Sequence, residues 1–346
     1  MTHRDRVLMA LDHREPDRVP KDLGGAGPTA IHVEAYARLL KHLGLPAEPQ
    51  ATGPTVGPLR SQVTAPSEAV ARLLDVDVRG IGPGARDVGD SVHIDDNSYR
   101  DEWGTIWARP PTGGHYINVK GPFQAGEPTT KDLERHPWPN PGDPGLARGL
   151  REKAIRLREE TGCAIALNTP DAIFAPCQRL RGFGEFMGDM LSNQAFAEGL
   201  LDHVTQTNVG RMVALLKAVG DVVDIVEFPD DLGFQTQLQV SPSLYRRMVK
   251  PCHRKLVDAI KAHSKAKVFL HSDGSLYPLI KDLIEIGIEV LNPVQTTAKD
   301  MESDRLKREF GKDLSFWGAI DTQQVLPRGT PADVEQEVAR RISHLA

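Results

Sequence analysis

Val268-Phe269-Leu270-His271-Ser272-Asp273-Gly274 is a short apolar run that closes on a histidine and then breaks into a Ser-Asp-Gly loop. Such a run, with helical sequence following over 276–286, reads as a strand buried on both faces, leading into a crossover helix. The same unit recurs on either side. Downstream, 288–291 leads into Asn292-Pro293-Val294-Gln295, and 314–320 leads into Asp321-Thr322-Gln323. Upstream, 222–227 runs into Phe228-Pro229-Asp230-Asp231-Leu232-Gly233, and 164–168 into Thr169-Pro170-Asp171. Residues 77–81 are a further strand. Near the start, a helix over 2–11 precedes a strand over 19–23, the loop Gly24-Gly25-Ala26-Gly27-Pro28 and a helix over 32–43. Strand and helix alternate at the spacing of a parallel α/β sheet. The strands number about seven, one short of the eight of a closed (β/α)8 barrel. The eighth, C-terminal strand is either missing or a segment read as something else.

The sequence between the second and third of these units differs. Residues 91–94 and 99–108 alternate apolar and polar, Pro110-Pro111-Thr112-Gly113-Gly114 is a turn, and 116–119 pairs back. This predicts a β-hairpin insertion over about 92–123 within a single barrel domain spanning 1–346. Trp103 and Trp107 are either its core or part of a ligand mouth. Residues 137–144 are Pro-rich and read as a surface loop.

Bulk properties narrow the function classes. The chain has 346 residues, 40% of them hydrophobic, enough for one large domain with a sizeable core. The net charge of −5 is spread over both signs, with no basic stripe for nucleic acid and no basic amphipathic segment for a membrane surface. No apolar run suits a bilayer span, and the opening Met1-Thr2-His3-Arg4 does not read as a secretory signal. Cys163, Cys177 and Cys252 are odd in number and none share CxxC spacing, so neither a disulfide framework nor a cysteine-rich zinc site is expected. A reducing cytosol fits.

In a parallel barrel, chemistry sits where the strands end. The expected strand ends carry Asp22, Asn168 and Asp171, Glu227 with Asp230 and Asp231, His271 with Asp273, Asn292 with Gln295, and Asp321 with Gln323. Acids and amides dominate. His271 and Asp273 share a face if the strand extends that far. With Glu227 from the neighbouring strand they would suit a divalent metal, zinc first, with iron or manganese also compatible. The plainer alternatives are a turn at Asp273-Gly274, a helix start at Asp230-Asp231 and an N-cap at Asp321.

Four blocks resemble one known family. They are Arg4-Asp5-Arg6-Val7-Leu8-Met9-Ala10-Leu11-Asp12-His13-Arg14-Glu15-Pro16-Asp17-Arg18-Val19-Pro20, Phe269 to Gly274, Ile286 to Gln295, and Phe316 to Gln323 with Leu326-Pro327-Arg328-Gly329-Thr330-Pro331. Together they resemble the uroporphyrinogen decarboxylase superfamily, in its corrinoid-dependent methyltransferase branch. The resemblance implies a distorted (β/α)8 TIM-type barrel. It offers two chemistries: cofactor-free decarboxylation of a polycarboxylate, and zinc-dependent methyl transfer to a corrinoid. The family's decarboxylases carry an arginine-rich segment after the first strand. Here that segment is Lys21-Asp22-Leu23-Gly24-Gly25-Ala26-Gly27, without arginine. Its thiol methyltransferases carry His-x-Cys-Gly where this chain has His271-Ser272-Asp273-Gly274. A carboxylate in place of a thiolate makes a harder site, suited to an oxygen-bearing substrate.

The resemblance therefore implies a methyltransferase or O-demethylase component that moves a methyl group from a small methylated substrate to a corrinoid held on a partner protein. In that scheme His271, Asp273 and Glu227 are metal ligands, and Asp231, Gln295 and Asp321 orient substrate or act in the chemistry. Asp22, Asn168 and Asn292 line the substrate pocket. Homodimers are common in the family. The rival expectations are decarboxylation of a smaller acid, with Asp22 or Asp231 stabilising a protonated intermediate, and a non-catalytic barrel that binds a tetrapyrrole or other small molecule.

Overall fold

The computed structural model describes residues 1–48, 62–89, 91–112, 114–170 and 173–346, so Asp171 lies outside the described residues. Six parallel strands form the central sheet. In spatial order they are β12 (Ser315–Phe316), β11 (Val290–Asn292), β10 (Lys267–His271), β9 (Ile225–Pro229), β8 (Ala164–Asn168) and β3 (Val78–Ile81). A two-stranded ladder, β1 (Ile31–His32) with β2 (Val63–Thr64), stands apart. So does an antiparallel sheet of β4 (Val92–Asp95), β5 (Ser98–Arg100), β6 (Ile106–Ala108) and β7 (Ile117–Lys120). Helices such as Gln194–Val219, Lys250–His263 and Ile280–Ile286 cross between the parallel strands and cover the outside. The architecture is that of a TIM-type α/β barrel.

Both faces of the parallel strands are buried, for two different reasons. Ile165, Leu167, Val226, Phe228, Val268 and Leu270 point outward and pack with the helices in one large core. Their neighbours Ala164, Ala166, Ile225, Phe269 and Val290 point inward, with Val78, and form a second, smaller core inside the barrel. Because the side-chain period is two, the next inward positions are Asn168, Glu227, His271 and Asn292. The apolar layer inside the barrel is therefore capped by a polar one at the C-terminal ends of the strands.

The segment expected as the first strand does not join a ladder. Its contact with β3 is a pair of bonds: the Asp77 N–H donates to the Lys21 carbonyl at 2.8 Å, and the Lys21 N–H donates to Asp77 Oδ2 at 2.7 Å. Pro20, with no N–H, cannot extend that pairing. On its other side Asp22 receives the indole N–H of Trp317, just beyond β12, at 3.1 Å. The segment thus stands in the wall between the two ends of the sheet. Among the described residues no eighth strand follows; the last element is the helix Pro331–Leu345.

Boundaries also shift, and of the strand expected over 314–320 only Ser315–Phe316 pairs. β9 begins at Ile225 rather than 222, because Asp224 is committed to Arg4, Arg158 and the Ile165 N–H. The predicted hairpin is a four-stranded meander. Asp101 accepts the N–H groups of Trp103 and Thr105 and the indole N–H of Trp107, which folds 101–105 into a turn and splits the expected strand. Trp103 and Trp107 are buried in the core beneath it. The three cysteines are buried and unpaired. Among the described residues no helix is long and apolar enough to cross a membrane.

Asp77 is buried at the base of the wall and binds Arg6, Arg18 and His3, each at 2.7 Å. Burial pushes its pKa up, but the Arg18, Lys21 amide, His3 and Arg6 bonds more than reverse this and hold it below the ordinary carboxylate value. A depressed folded-state pKa gives stability that is present at neutral pH and lost as pH falls through the folded value. Asp77→Ala removes the buried acceptor that Arg6 and Arg18 share, though Arg6 keeps Asp17 and Arg18 keeps Asp75, and is expected to cost about 1–3 kcal/mol in urea denaturation at pH 7. Much of the gap to wild type should close in acid.

Candidate active site at the barrel mouth

Each residue of His271-Ser272-Asp273-Gly274 has a separate task. His271 ends β10 facing inward, and Asn292 Oδ1 accepts its Nδ1–H at 2.7 Å. The Asn292 amide cannot be turned round, because its Nδ2 donates to the Trp317 carbonyl at 2.7 Å. The imidazole therefore carries its proton on Nδ1 and leaves the Nε2 lone pair free. Ser272 faces the other way, and its Oγ accepts the Leu232 N–H at 3.0 Å. Asp273 returns to the His271 side, with Oδ2 at 3.7 Å from His271 Nε2. Gly274 has φ of +93°, and a Cβ there would lie 2.5 Å from the Gly233 carbonyl carbon. Only glycine permits that approach.

The approach carries Asp231 to the same place. Asp231 Oδ1 accepts the Asp273 N–H at 2.9 Å. One ligand atom from each of Asp231, His271 and Asp273 lies within 4.8 Å of the others. The triad thus has Asp231 in the place where the sequence expectation put Glu227. Desolvation raises the Asp273 pKa, with His271 opposing the rise and the Asp231 carboxylate adding to it. One imidazole and two carboxylates at the surface form a donor set that fits zinc or another divalent cation.

Glu227 lies deeper. It is 2% exposed, and its Oε1 has no hydrogen-bond partner. Burial alone pushes its pKa up to about 8. A Cβ on Gly27 would stand 3.3 Å from Glu227 Oε2, so the glycine-rich loop closes directly over this carboxyl. Two other expected pocket residues hold that loop. Asn168 accepts the Gly27 N–H at 3.0 Å and donates to the Gly25 carbonyl at 2.9 Å. Asp22 accepts from Gly25 N, Ala26 N, Thr29 Oγ1 and Trp317 Nε1. Burial raises the Asp22 pKa against the pull of those four bonds.

Of the remaining expected residues, Gln295 accepts the Gly274 N–H at 2.8 Å and donates to Gln235, so it braces the Asp273 loop. Asp321 accepts the N–H groups of Gln323 and Gln324 through one oxygen, as a cap of the turn that follows. Asp230, next to Asp231, points away from the mouth. It accepts N–H groups of Ile173, Phe174 and Ala175 and binds buried His253 at 2.8 Å, with Tyr245 behind. Sequence reading missed Trp317, Ser272, Gln235 and His253. Ser272 was open to inference from the alternation around His271; His253 sits in a helix 23 residues from its partner and gave no local signal.

Residues 172–345 match the uroporphyrinogen decarboxylase (URO-D) family. Among solved structures, a methyltransferase from Methanosarcina mazei superposes with a TM-score of 0.67, covering 99% of this chain and 90% of its own, at 18% identity. Xylanase B from Clostridium stercorarium F9 covers 59% of this chain and 69% of its own with a TM-score of 0.34 at 12% identity, too remote to inform the site. No curated protein sequence matches. The superposition at 0.67 establishes the fold.

Gly274→Ala is expected to cost more than about 1 kcal/mol, from the left-handed backbone and the displaced Gly233 strand of the loop, read by thermal denaturation. Glu227 gives a prediction of opposite sign to Asp77. Its pKa is raised from the ordinary value near 4.5 to about 8, so the fold favours the neutral form. Stability should decline as pH rises from 4.5 through 8, and Glu227→Gln should flatten that decline in metal-free protein.

Proposed function

The chain belongs to the uroporphyrinogen decarboxylase family, and from that premise we propose that it is a metal-dependent methyltransferase of the family's corrinoid-linked branch. The hydrogen bond from His271 to Asn292 carries this proposal. It fixes the imidazole so that Nε2 offers a lone pair beside Asp231 and Asp273. A second group that orients a histidine in this way is the usual companion of a metal ligand. His271, Asp231 and Asp273 would hold zinc or a related divalent ion, which when bound supplies Lewis-acid activation of a substrate heteroatom.

The chain's own residues do the remaining work. Asn292 orients His271, and Gln295 braces the Gly274 amide and with it the Asp273 loop. Asn168 and Asp22 hold the glycine-rich loop over the inner mouth. A small methylated substrate enters above Glu227 and Trp317 with its methyl-bearing atom toward the triad. The methyl group would pass to a reduced corrinoid on a separate protein as the carbon–oxygen bond breaks and the oxygen leaves as the demethylated alcohol or phenol; an ether oxygen fits the hard donor set. Decarboxylation is less well supported. Asp22, the natural candidate to stabilise a protonated intermediate, already accepts four hydrogen bonds. A mouth lined by carboxylates also opposes a polyanionic substrate.

Elemental analysis of the purified chain tests the proposal first. About one zinc per chain is expected, with its loss in His271→Ala and about 10–100-fold weaker retention in Asn292→Ala. A metal-free wild type from zinc-replete cells would sink the ligand assignment. With metal in place, methyl ethers are to be assayed with a reduced corrinoid protein, by the loss of the cobalt(I) absorption.

A further inference from the structure

Asp230 touches both strands that carry the triad. Its N–H donates to the His271 carbonyl at 2.8 Å. Its neighbour Asp231 turns toward the mouth, whereas Asp230 turns inward and is 1% exposed. There its Oδ2 accepts the N–H groups of Ile173 and Phe174 at 2.9 and 2.7 Å and His253 Nε2–H at 2.8 Å, and its Oδ1 accepts the Ala175 N–H at 2.8 Å. Behind this, His253 Nδ1 lies 3.2 Å from the Tyr245 hydroxyl. We propose that His253 and Tyr245 are positioning residues of the mouth: through Asp230 they hold Asp231 and His271 where one cation can meet both. The proposal rests on the proposed function in taking Asp231 and His271 as metal ligands; it adds what sets their place.

The chain of bonds runs in one direction. A carboxylate only accepts, so His253 Nε2 carries the proton and Nδ1 is left to accept from Tyr245. Burial pushes the Tyr245 pKa up, so the hydroxyl keeps the proton that it donates. His253 is thereby held in one tautomer, the opposite of the one at His271. The backbone donors to Asp230 come from the segment that opens the helix Phe174–Arg181, and His253 comes from the helix Lys250–His263. Bonds to two separate elements keep the carboxylate from swinging with either one. Asp230 directly follows β9, where neighbouring side chains alternate, so anchoring it leaves Asp231 facing the mouth. The approach of Gly233 to Gly274 holds the chain beyond Asp231, and Asp230 holds it before.

The helix that carries the pair is distorted where their bond needs it. Tyr245–Val249 is a turn of π-helix that leads into Lys250–His263. At about 100° per residue, an unbroken α-helix would leave residues eight apart about 80° away from a common face. The wide turn takes up one extra residue and brings Tyr245 and His253 to within about 20° of each other. Pro251 stands at this place, with no N–H to donate to the Arg247 carbonyl. The bond between the two side chains is what this shift of register makes possible.

The test uses the full chain stripped of metal by a chelator, with two readings. One is cobalt(II) affinity, with the visible spectrum of the complex. The other is the amide signal of Asp273 in the metal-free chain. That N–H donates to Asp231 Oδ1 and so reports where the Asp231 carboxylate stands. His253→Ala should weaken cobalt(II) binding by about 10–100-fold, change the spectrum and shift the Asp273 amide proton upfield. His253→Gln keeps an N–H for Asp230 and should restore most of both readings. Ile260→Ala controls for stability alone, because Ile260 is buried further along the same helix. It should lower the melting temperature and leave both readings as in wild type. Should His253→Ala not fold, Tyr245→Phe decides, with an expected loss in affinity of about threefold or more. Wild-type affinity with an unmoved Asp273 signal in the deciding variant would overturn the proposal, and so would an equal disturbance in Ile260→Ala. If the wild type takes up no cobalt(II), the metal reading of the mouth falls and the Asp273 signal alone decides the positioning role. If cobalt(II) binds as expected but no methyl ether is demethylated, the proposed transfer falls and the positioning role stands.

Discussion

Two backbones meet at Gly233 and Gly274 too closely for a Cβ on either. A Cβ on Gly233 would lie 2.8 Å from the Asp273 carbonyl oxygen, and one on Gly274 would lie 2.5 Å from Gly233. The arrangement of the site depends on this contact. The loops after β9 and β10 are free to diverge at the sheet edge, and each alone presents one aspartate. Pressed together, they share hydrogen bonds from Leu232 N to Ser272 Oγ, from Asp273 N to Asp231 Oδ1 and from Ser275 N to the Phe234 carbonyl. Asp231 and Asp273 are then held beside His271 by backbone geometry rather than by their own attraction, which between two carboxylates would be repulsion.

Below this crossing, the barrel interior is layered by chemistry. An apolar layer at Ala166, Ile225, Phe269 and Val290 gives way to Asn168, Glu227, His271 and Asn292 one inward position higher. Placing a polar layer inside a barrel is tolerable where each group finds a partner. Asn168 and Asn292 use both ends of their amides, and in doing so they fix the glycine-rich loop and the histidine tautomer. Their partners are themselves parts of the site, so the bonds that satisfy the layer also orient it. Two atoms of the layer stay open, Nε2 of His271 beside Asp231 and Asp273 and Oε1 of Glu227 deeper in the barrel.

Period-two alternation and the polar endings of the strands made much of this legible in the sequence. Asp22, Asn168, Glu227, His271 and Asn292 do face the same mouth, because strand direction and side-chain period together decide that. What failed to transfer was distance. Glu227 lies in β9 and Asp231 just past its end, and spacing alone does not say which one reaches His271. That is settled by the Gly233–Gly274 crossing, a contact between loops 41 residues apart in sequence. Residues 19–23 read as a strand by composition, yet Pro20 and a single pair of bonds through Asp77 and Lys21 leave them outside the ladder. The stretch over 99–108 read as one strand, until Asp101 gathered three donors and bent it. Asp321 is placed by the turn it caps. In each case a side chain's local hydrogen bonds overrode a backbone pattern.

The hardness of the donor set and the sign of the mouth belong to one design. Four carboxyl groups stand around His271 and Trp317: Asp231 and Asp273 in the triad, Asp22 on the Trp317 indole and Glu227 beneath. A polycarboxylate substrate would meet like charge on entry and would have to bring protons with it. A divalent ion at the triad would cancel the outer pair, while burial already keeps the inner carboxyl of Glu227 largely neutral. The outer part of the mouth would then become neutral and Lewis-acidic, while the inner part, at Glu227 and Trp317, stays largely uncharged near pH 7. The closeness of Gly27 to Glu227 keeps the inner mouth tight, because any side chain there would crowd the carboxyl.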